Sequence, residues 1–108
     1  MPDFRTNEPI AIILAAGCSS RMGATKPLVE IEGVPLLLHA ARCFQEAGIE
    51  EIIVVTGFDS DNVGKLASLH GIRPIFNKDY QKGMFSSICA GLRAVSSNCD
   101  SAFILPVD

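Results

Sequence analysis

"IAIILAAG", residues 10–17, is the stretch on which the fold turns: six aliphatic residues from Ile10 to Ala15 without a polar position, then a further alanine and a glycine. A strand with one face in water alternates apolar and polar residues. An unbroken run of this length instead fits a strand covered on both faces, as in a parallel sheet. Gly17 then lets the backbone turn sharply out of the strand and leaves room for a ligand to approach main-chain N–H groups.

Working outward, three further segments read as buried parallel strands: "EIIVVT" (51–56), "RPIFN" (73–77) and "SAFILPV" (101–107). The first and last of these, like residues 10–15, are continuous enough to be covered on both faces. Helical patterns lie between them. Over 35–47, Leu37, Ala41, Phe44 and Ala47 line one face and His39, Arg42 and Glu46 another, with Gly48 where a helix C-terminus favours it. Over 59–70, Ser60 or Asp61 is the expected N-cap, Val63, Leu66 and Ala67 the inner stripe, and Gly71 the stop. Phe85, Ile88, Cys89, Leu92 and Val95 repeat at the spacing of a third helix. Strands alternating with helices force parallel pairing through right-handed crossovers, so the expected class is α/β, a Rossmann-like, mostly parallel sheet with helices on both faces. In such sheets ligands bind beyond the carboxyl ends of the strands, where strand order reverses. The loops after residues 15, 56, 77 and 106 are therefore expected to share one rim.

The composition fits one domain with one core: 108 residues, 48% apolar and 19% charged. Residues 1–8 are polar and read as loose. The chain stops at "PVD" directly after an apolar strand, from which we expect the N-terminal part of a longer domain, truncated after that strand. A net charge of −3 excludes bulk attraction to nucleic acid or anionic membrane. No apolar run approaches the roughly 20 residues of a membrane span, and "MPDFRTNEP" lacks the pattern of a signal peptide, so a cytoplasmic protein is expected. Cys18, Cys43, Cys89 and Cys99 show no C-x-x-C spacing and read as buried or half-buried thiols in a reducing compartment. Cys18 stands apart because it lies in the glycine turn, though no histidine can be placed beside it.

The chemistry concentrates in that turn. Ser19 and Ser20 add hydroxyl donors, Arg21 a planar fork matched to phosphate oxygens, and Lys26 a mobile point charge that can follow developing negative charge. Together they describe a polyphosphate cradle. It is neither of the two commonest: the next glycine after Gly17 comes six positions on and Lys26 three beyond that, unlike a P-loop, and Ser19 stands where a dinucleotide fingerprint needs glycine.

"LAAGCSSRMGATKPL" resembles the signature L-A-A-G-x-S-x-R-M-G-x-x-K-x-L of the MobA/MocA-like nucleotidyltransferases, matching at Leu14, Ala15, Ala16, Gly17, Ser19, Arg21, Met22, Gly23, Lys26 and Leu28. It is also similar to the cytidylyltransferases of isoprenoid synthesis and to sugar-phosphate nucleotidyltransferases, whose lysine usually comes later, after a proline. "NKDYQKGMFSSI", residues 77–88, is similar to the family's N-x-x-x-x-x-G-M-x-S-S segment, which implies that Asn77, Gly83, Ser86 and Ser87 border the nucleotide's base and ribose. The terminal "LPVD" resembles the family's P-x-D, implying that Asp108 holds Mg²⁺ between the nucleotide phosphates.

The resemblance implies in-line attack by an acceptor phosphate on the α-phosphorus of a nucleoside triphosphate, with release of pyrophosphate. Arg21 and Lys26 would be the catalytic cations, Arg21 on the β and γ phosphates and Lys26 on the α-phosphate and leaving oxygen. Ala16 matches the L-A-A-G of the cytidylyl branch rather than the L-A-G-G of guanylyl relatives, which favours CTP over GTP. The branch most similar to this turn makes molybdopterin cytosine dinucleotide, so molybdopterin is the expected acceptor; its binding residues would lie beyond residue 108.

A nucleotide-binding or regulatory module without turnover is the rival reading, and it is one that the 108 residues on their own would fit. His39 on the polar helix face and His70 beside a helix end read as surface or capping residues. "FDSDN" (58–62) lacks EF-hand spacing and reads as helix capping, while Gly57, directly after a strand, can border the ligand cleft.

Overall fold

The computed structural model describes residues 9–17, 26–95 and 101–107. Its elements are β1 (Ile10–Ala15), a 3-10 turn (Lys26–Leu28), β2 (Glu30–Ile31), β3 (Val34–Pro35), α1 (Leu36–Glu46), β4 (Glu51–Thr56), α2 (Ser60–Leu69), β5 (Arg73–Phe76), a second 3-10 turn (Tyr80–Lys82), α3 (Met84–Ala94) and β6 (Ala102–Pro106). Four parallel strands form the main sheet in the order β5-β4-β1-β6. This is the Rossmann-like α/β sheet expected from the alternation.

β1 pairs with β4 on one side and β6 on the other, and all six of its residues are buried, which is why its sequence never alternates. Its two faces feed separate cores. Ala11, Ile13 and Ala15 pack with Leu37, Ala40 and Ala41 of α1 and Val63 and Ala67 of α2. Ile12, Leu14, Ala16 and Val55 pack on the opposite side with Tyr80 and with Ile88 and Ala90 of α3. Helices therefore cover both faces. α3 comes close because residue 91 is glycine: a Cβ there would lie 2.7 Å from Ile12 Cγ2 and 3.2 Å from Val55 Cγ2.

α1 and α2 end alike. Gly48 and Gly71 have positive φ, +90° and +75°. The N–H groups of Gly48 and Ile49 bond back to the carbonyls of Gln45 and Phe44, and those of Gly71 and Ile72 to Ser68 and Ala67. This is the paired closure that a left-handed residue after a helix permits, and it sends Ile49 and Ile72 into the core.

Four expectations need correction. β5 reads as a buried strand, yet Arg73, Pro74 and Phe76 are exposed and Ile75 is half-buried. β6 was read as covered on both faces, yet Phe103, Ile104 and Leu105 are 49%, 39% and 36% exposed. Among the described residues β6 ends the sheet, and an apolar run does not by itself say what covers it. The N-cap of α2 is Asp59 rather than Ser60 or Asp61; Asp59 sits in the left-handed region, with Asn62 Nδ2 donating to its Oδ1 at 2.7 Å. Ala47, placed on the buried line of α1, is exposed at the helix end. The structure also contains an element the sequence reading missed. β2 and β3 form a two-residue hairpin in which Glu32 and Gly33 both have positive φ, and His39 Nε2 lies 2.7 Å from the Ile31 carbonyl, tying hairpin to helix. Among the described residues no helix is long and apolar enough to cross a membrane.

Candidate nucleotide site

Because the chain runs from β1 to β4 on one side and later returns to β6 on the other, strand order reverses between β1 and β6. The crevice beyond their carboxyl ends is where an open sheet of this kind places a ligand. The backbone stitches this rim together: Phe58 N–H donates to Ala16 O at 3.3 Å, Asn77 N–H to Thr56 O at 2.8 Å, and Val107 N–H to Leu14 O at 2.9 Å. The loops after all four strands thus meet at one edge of the sheet, as the alternation implied.

A cavity of about 550 Å³ opens there, lined by Ala16, Gly17, Tyr80, Gln81, Gly83, Met84 and Ser87. That volume is within the range of small-molecule sites. Ala16 and Gly17 come from the first half of the glycine turn, and Gly83 and Ser87 from the second similar segment, so the structure brings together two stretches some 70 residues apart in sequence.

Tyr80 forms one wall because of Gly57. A Cβ at position 57 would fall 2.4 Å from Tyr80 Cβ, 2.6 Å from Tyr80 Cγ and 2.8 Å from the Ala16 carbonyl oxygen, so only glycine lets these three segments close on one another.

Asn77 and Ser86 do not line the cavity; they build its support. Asn77 is 5% exposed, and its Nδ2 donates to Ser86 Oγ at 2.9 Å and to Ser87 Oγ at 3.0 Å. Its Oδ1 accepts the Asp79 N–H at 3.0 Å. Ser86 Oγ lies 2.7 Å from Gly83 O and 3.0 Å from Asp79 O, and gives its single proton to one of them. No buried polar side-chain atom is left without a partner among the described residues.

Leu14 and Ala15 are buried in the sheet and set the strand's end rather than face the cavity. Lys26 is exposed at the head of the first 3-10 turn, outside the cavity lining. Its backbone is held from the C-terminal side: Val29 N–H donates to Lys26 O at 3.1 Å, Pro27 is fully buried, and Leu28 packs on the α1 and α2 core. Cys18, Ser19, Ser20, Arg21, Met22, Gly23, Cys99 and Asp108 lie outside the described residues. Cys43 is exposed and Cys89 half-buried, both as free thiols; the sequence reading had placed Cys43 deeper.

Tyr80, Gln81 and Met84 were missed as lining residues. The signal was available, since all three fall inside the 77–88 segment, but the resemblance there assigns the nucleoside contacts to Asn77, Gly83, Ser86 and Ser87 alone. A second hollow, about 310 Å³, lies among Val34, Leu38, Arg42, Gln45 and His70, away from the strand ends.

A doubly wound sheet with Gly17 and a serine-bearing helix start at its switch point defines a Rossmann-like α/β domain with its crevice where such sheets place a ligand. The chain belongs to the MobA-like NTP transferase domain family, which matches residues 11–108. It is 36% identical over 102 residues to the bifunctional IPC transferase and DIPP synthase of Rubrobacter xylanophilus, covering 86% of this chain and 23% of that protein. Among solved structures it is similar to a nucleotidyl transferase from Methanothermobacter, with a TM-score of 0.82 and 27% identity over 95% of this chain and 51% of the other. It is also similar to the CTP:phosphocholine cytidylyltransferase of Streptococcus pneumoniae, with a TM-score of 0.77 and 26% identity over 94% and 45%. The chain thus spans about half the length of the solved relatives and about a quarter of the curated one.

Proposed function

We propose that the protein is a nucleotidyltransferase that moves a nucleoside monophosphate, CMP from CTP, onto a phosphate-bearing small-molecule acceptor and releases pyrophosphate. The observation that carries this reading is the cavity at the switch point, whose walls come from the glycine turn and from the Gly83–Ser87 segment together. Family membership supports the reaction class, and the name of the pneumococcal relative supports both CTP and a phosphate-bearing acceptor. Molybdopterin is the acceptor we propose, on the likeness of residues 14–28 alone. The described chain then acts as the nucleotide-binding part of a longer domain, a reading supported by its share of the relatives' length and by the apolar residues exposed on β6.

In this mechanism the protein has no covalent chemistry to perform; it positions two phosphates and neutralises charge. Gly17 and the turn after it receive the triphosphate, Arg21 grips the β and γ phosphates, and Lys26 neutralises the α-phosphate and the departing oxygen. Ser87, Gly83 and Tyr80 hold the nucleoside end. Asp108 follows Val107, whose N–H is bonded to Leu14 at the crevice. A hard carboxylate suits magnesium, which takes one or two carboxylates together with phosphates and water, so Asp108 would hold the ion. When bound, the ion would neutralise phosphate charge and favour departure of pyrophosphate.

The test is pyrophosphate release by the full-length gene product with Mg²⁺ and each nucleoside triphosphate, with and without molybdopterin. Acceptor-dependent release from CTP supports the reading. Binding of CTP without release under any acceptor would leave a nucleotide-binding module instead.

A further inference from the structure

The cavity has one buried polar side chain in its lining, Ser87, 3% exposed. A hydroxyl has one proton and two acceptor lone pairs, and which of them faces a ligand depends on what its neighbours demand. Ser87 Oγ has one hydrogen-bond partner among the described residues, the Asn77 Nδ2 at 3.0 Å, and in that bond Ser87 can only accept. The amide orientation is fixed independently: Asn77 Oδ1 is taken by the Asp79 N–H, and its Nδ2 is shared with Ser86 Oγ. Flipping the amide would set its NH₂ against the Asp79 N–H, two donors face to face. With a lone pair of Ser87 occupied from behind, the proton is free to turn toward the cavity.

Resting on the nucleotide reading of this cavity, the geometry points to Asn77 as a positioning residue that fixes the Ser87 hydroxyl as a hydrogen-bond donor to an acceptor atom of the nucleotide. Asn77 itself touches no ligand; it acts through Ser87. The site then selects for a carbonyl, ring nitrogen or phosphate oxygen at that point and against a ligand group that can only donate.

The decisive substitution is Asn77→Asp, which keeps size and shape but replaces the Nδ2 donor with an acceptor. Both serine hydroxyls can reorient to donate to it, and with the Asp79 N–H these make three donors for the carboxylate. Ser87 would then spend its proton inward. Equilibrium titration of the full-length gene product with Mg·CTP is measured for wild type, Asn77→Asp, Ser87→Ala and the double variant, with thermal unfolding to confirm that each is folded.

The expected result is a loss of about three- to tenfold in affinity for Ser87→Ala, the worth of one neutral hydrogen bond. A loss at least as large is expected for Asn77→Asp, with little further loss when Asn77→Asp is added to Ser87→Ala. Equal losses from Asn77→Asp in both backgrounds would show a general charge or structural effect and overturn the proposal, as would an Asn77→Asp protein that binds like wild type. A wild type that binds neither CTP nor GTP removes the nucleotide reading itself and this inference with it. Should Asn77→Asp not fold, proton exchange in the wild type decides: a slowly exchanging Ser87 hydroxyl proton that appears only with CTP bound supports the assignment, and one that remains in fast exchange with CTP bound overturns it.

Discussion

Replacing Gly57 with alanine adds one methyl group where three segments of the site meet. The new Cβ would fall 2.4 Å from Tyr80 Cβ and 2.8 Å from the Ala16 carbonyl oxygen, well inside contact distance. Neither obstacle is the tip of a flexible side chain, so relief requires the second 3-10 turn or the end of β1 to move. Overpacking of this kind costs about 1–3 kcal/mol, and backbone obstacles place it near the upper end. The loss of glycine's freedom in the unfolded chain offsets about 0.4–1 kcal/mol. The net is a destabilisation of about 2 kcal/mol, roughly a thirtyfold fall in the folded-to-unfolded ratio. Gly64→Ala is the matched control: its Cβ would meet only Pro74 Cβ, at an ordinary 3.8 Å, inside α2. The same chemical change there is expected to stabilise by about 0.5–1 kcal/mol through helix propensity. Urea unfolding of both variants reads the difference, and CTP titration reads the displaced Tyr80 wall of Gly57→Ala as weaker binding. Equal stability of Gly57→Ala and wild type, or a shift of both variants in one direction, would refute the packing of Tyr80 and Ala16 around residue 57.

Gly91→Ala, whose Cβ would lie 2.7 Å from Ile12 Cγ2, is expected to push α3 off the sheet and cost about 1–3 kcal/mol in urea unfolding, and a neutral result would mean that α3 can slide freely. Lys26→Ala, at an exposed position, is expected to change stability by no more than about 0.5 kcal/mol while lowering pyrophosphate release by about 10²-fold or more. Near-normal turnover would remove Lys26 from the mechanism. If Asp108 holds Mg²⁺ as proposed, omitting the ion from the assay is expected to abolish pyrophosphate release, and undiminished release without it would remove the ion from the mechanism.

The parallel sheet could be read from β1 because burial on both faces leaves a direct trace, an uninterrupted aliphatic run. Helix ends were equally plain at Gly48 and Gly71, where positive φ makes glycine the natural residue. The hairpin of β2 and β3 escaped because two-residue strands show no period, and Glu32 is not a residue that announces positive φ. β6 has the composition of a covered strand, yet it ends the sheet among the described residues and leaves Phe103, Ile104 and Leu105 exposed. At the site, the residues expected to border the nucleotide divide: Gly17, Gly83 and Ser87 line the cavity, while Asn77 and Ser86 support it from behind. That division follows from which side of α3 and its preceding turn each side chain occupies, and no spacing rule in the sequence encodes it. Tyr80 becomes a wall only through its approach to Gly57, a contact between positions 23 residues apart.

The most direct test of the central claim, that a nucleoside triphosphate binds where β1 and β6 end, is an NMR titration of the isotope-labelled protein with Mg·CTP. The account predicts that the amides of Ala16, Gly17, Gly83 and Ser87 shift together with one binding constant, while those of Arg42 and Gln45 in the second hollow stay still. Shifts confined to Arg42, Gln45 and His70, or none among the four cavity amides at saturating nucleotide, would contradict it.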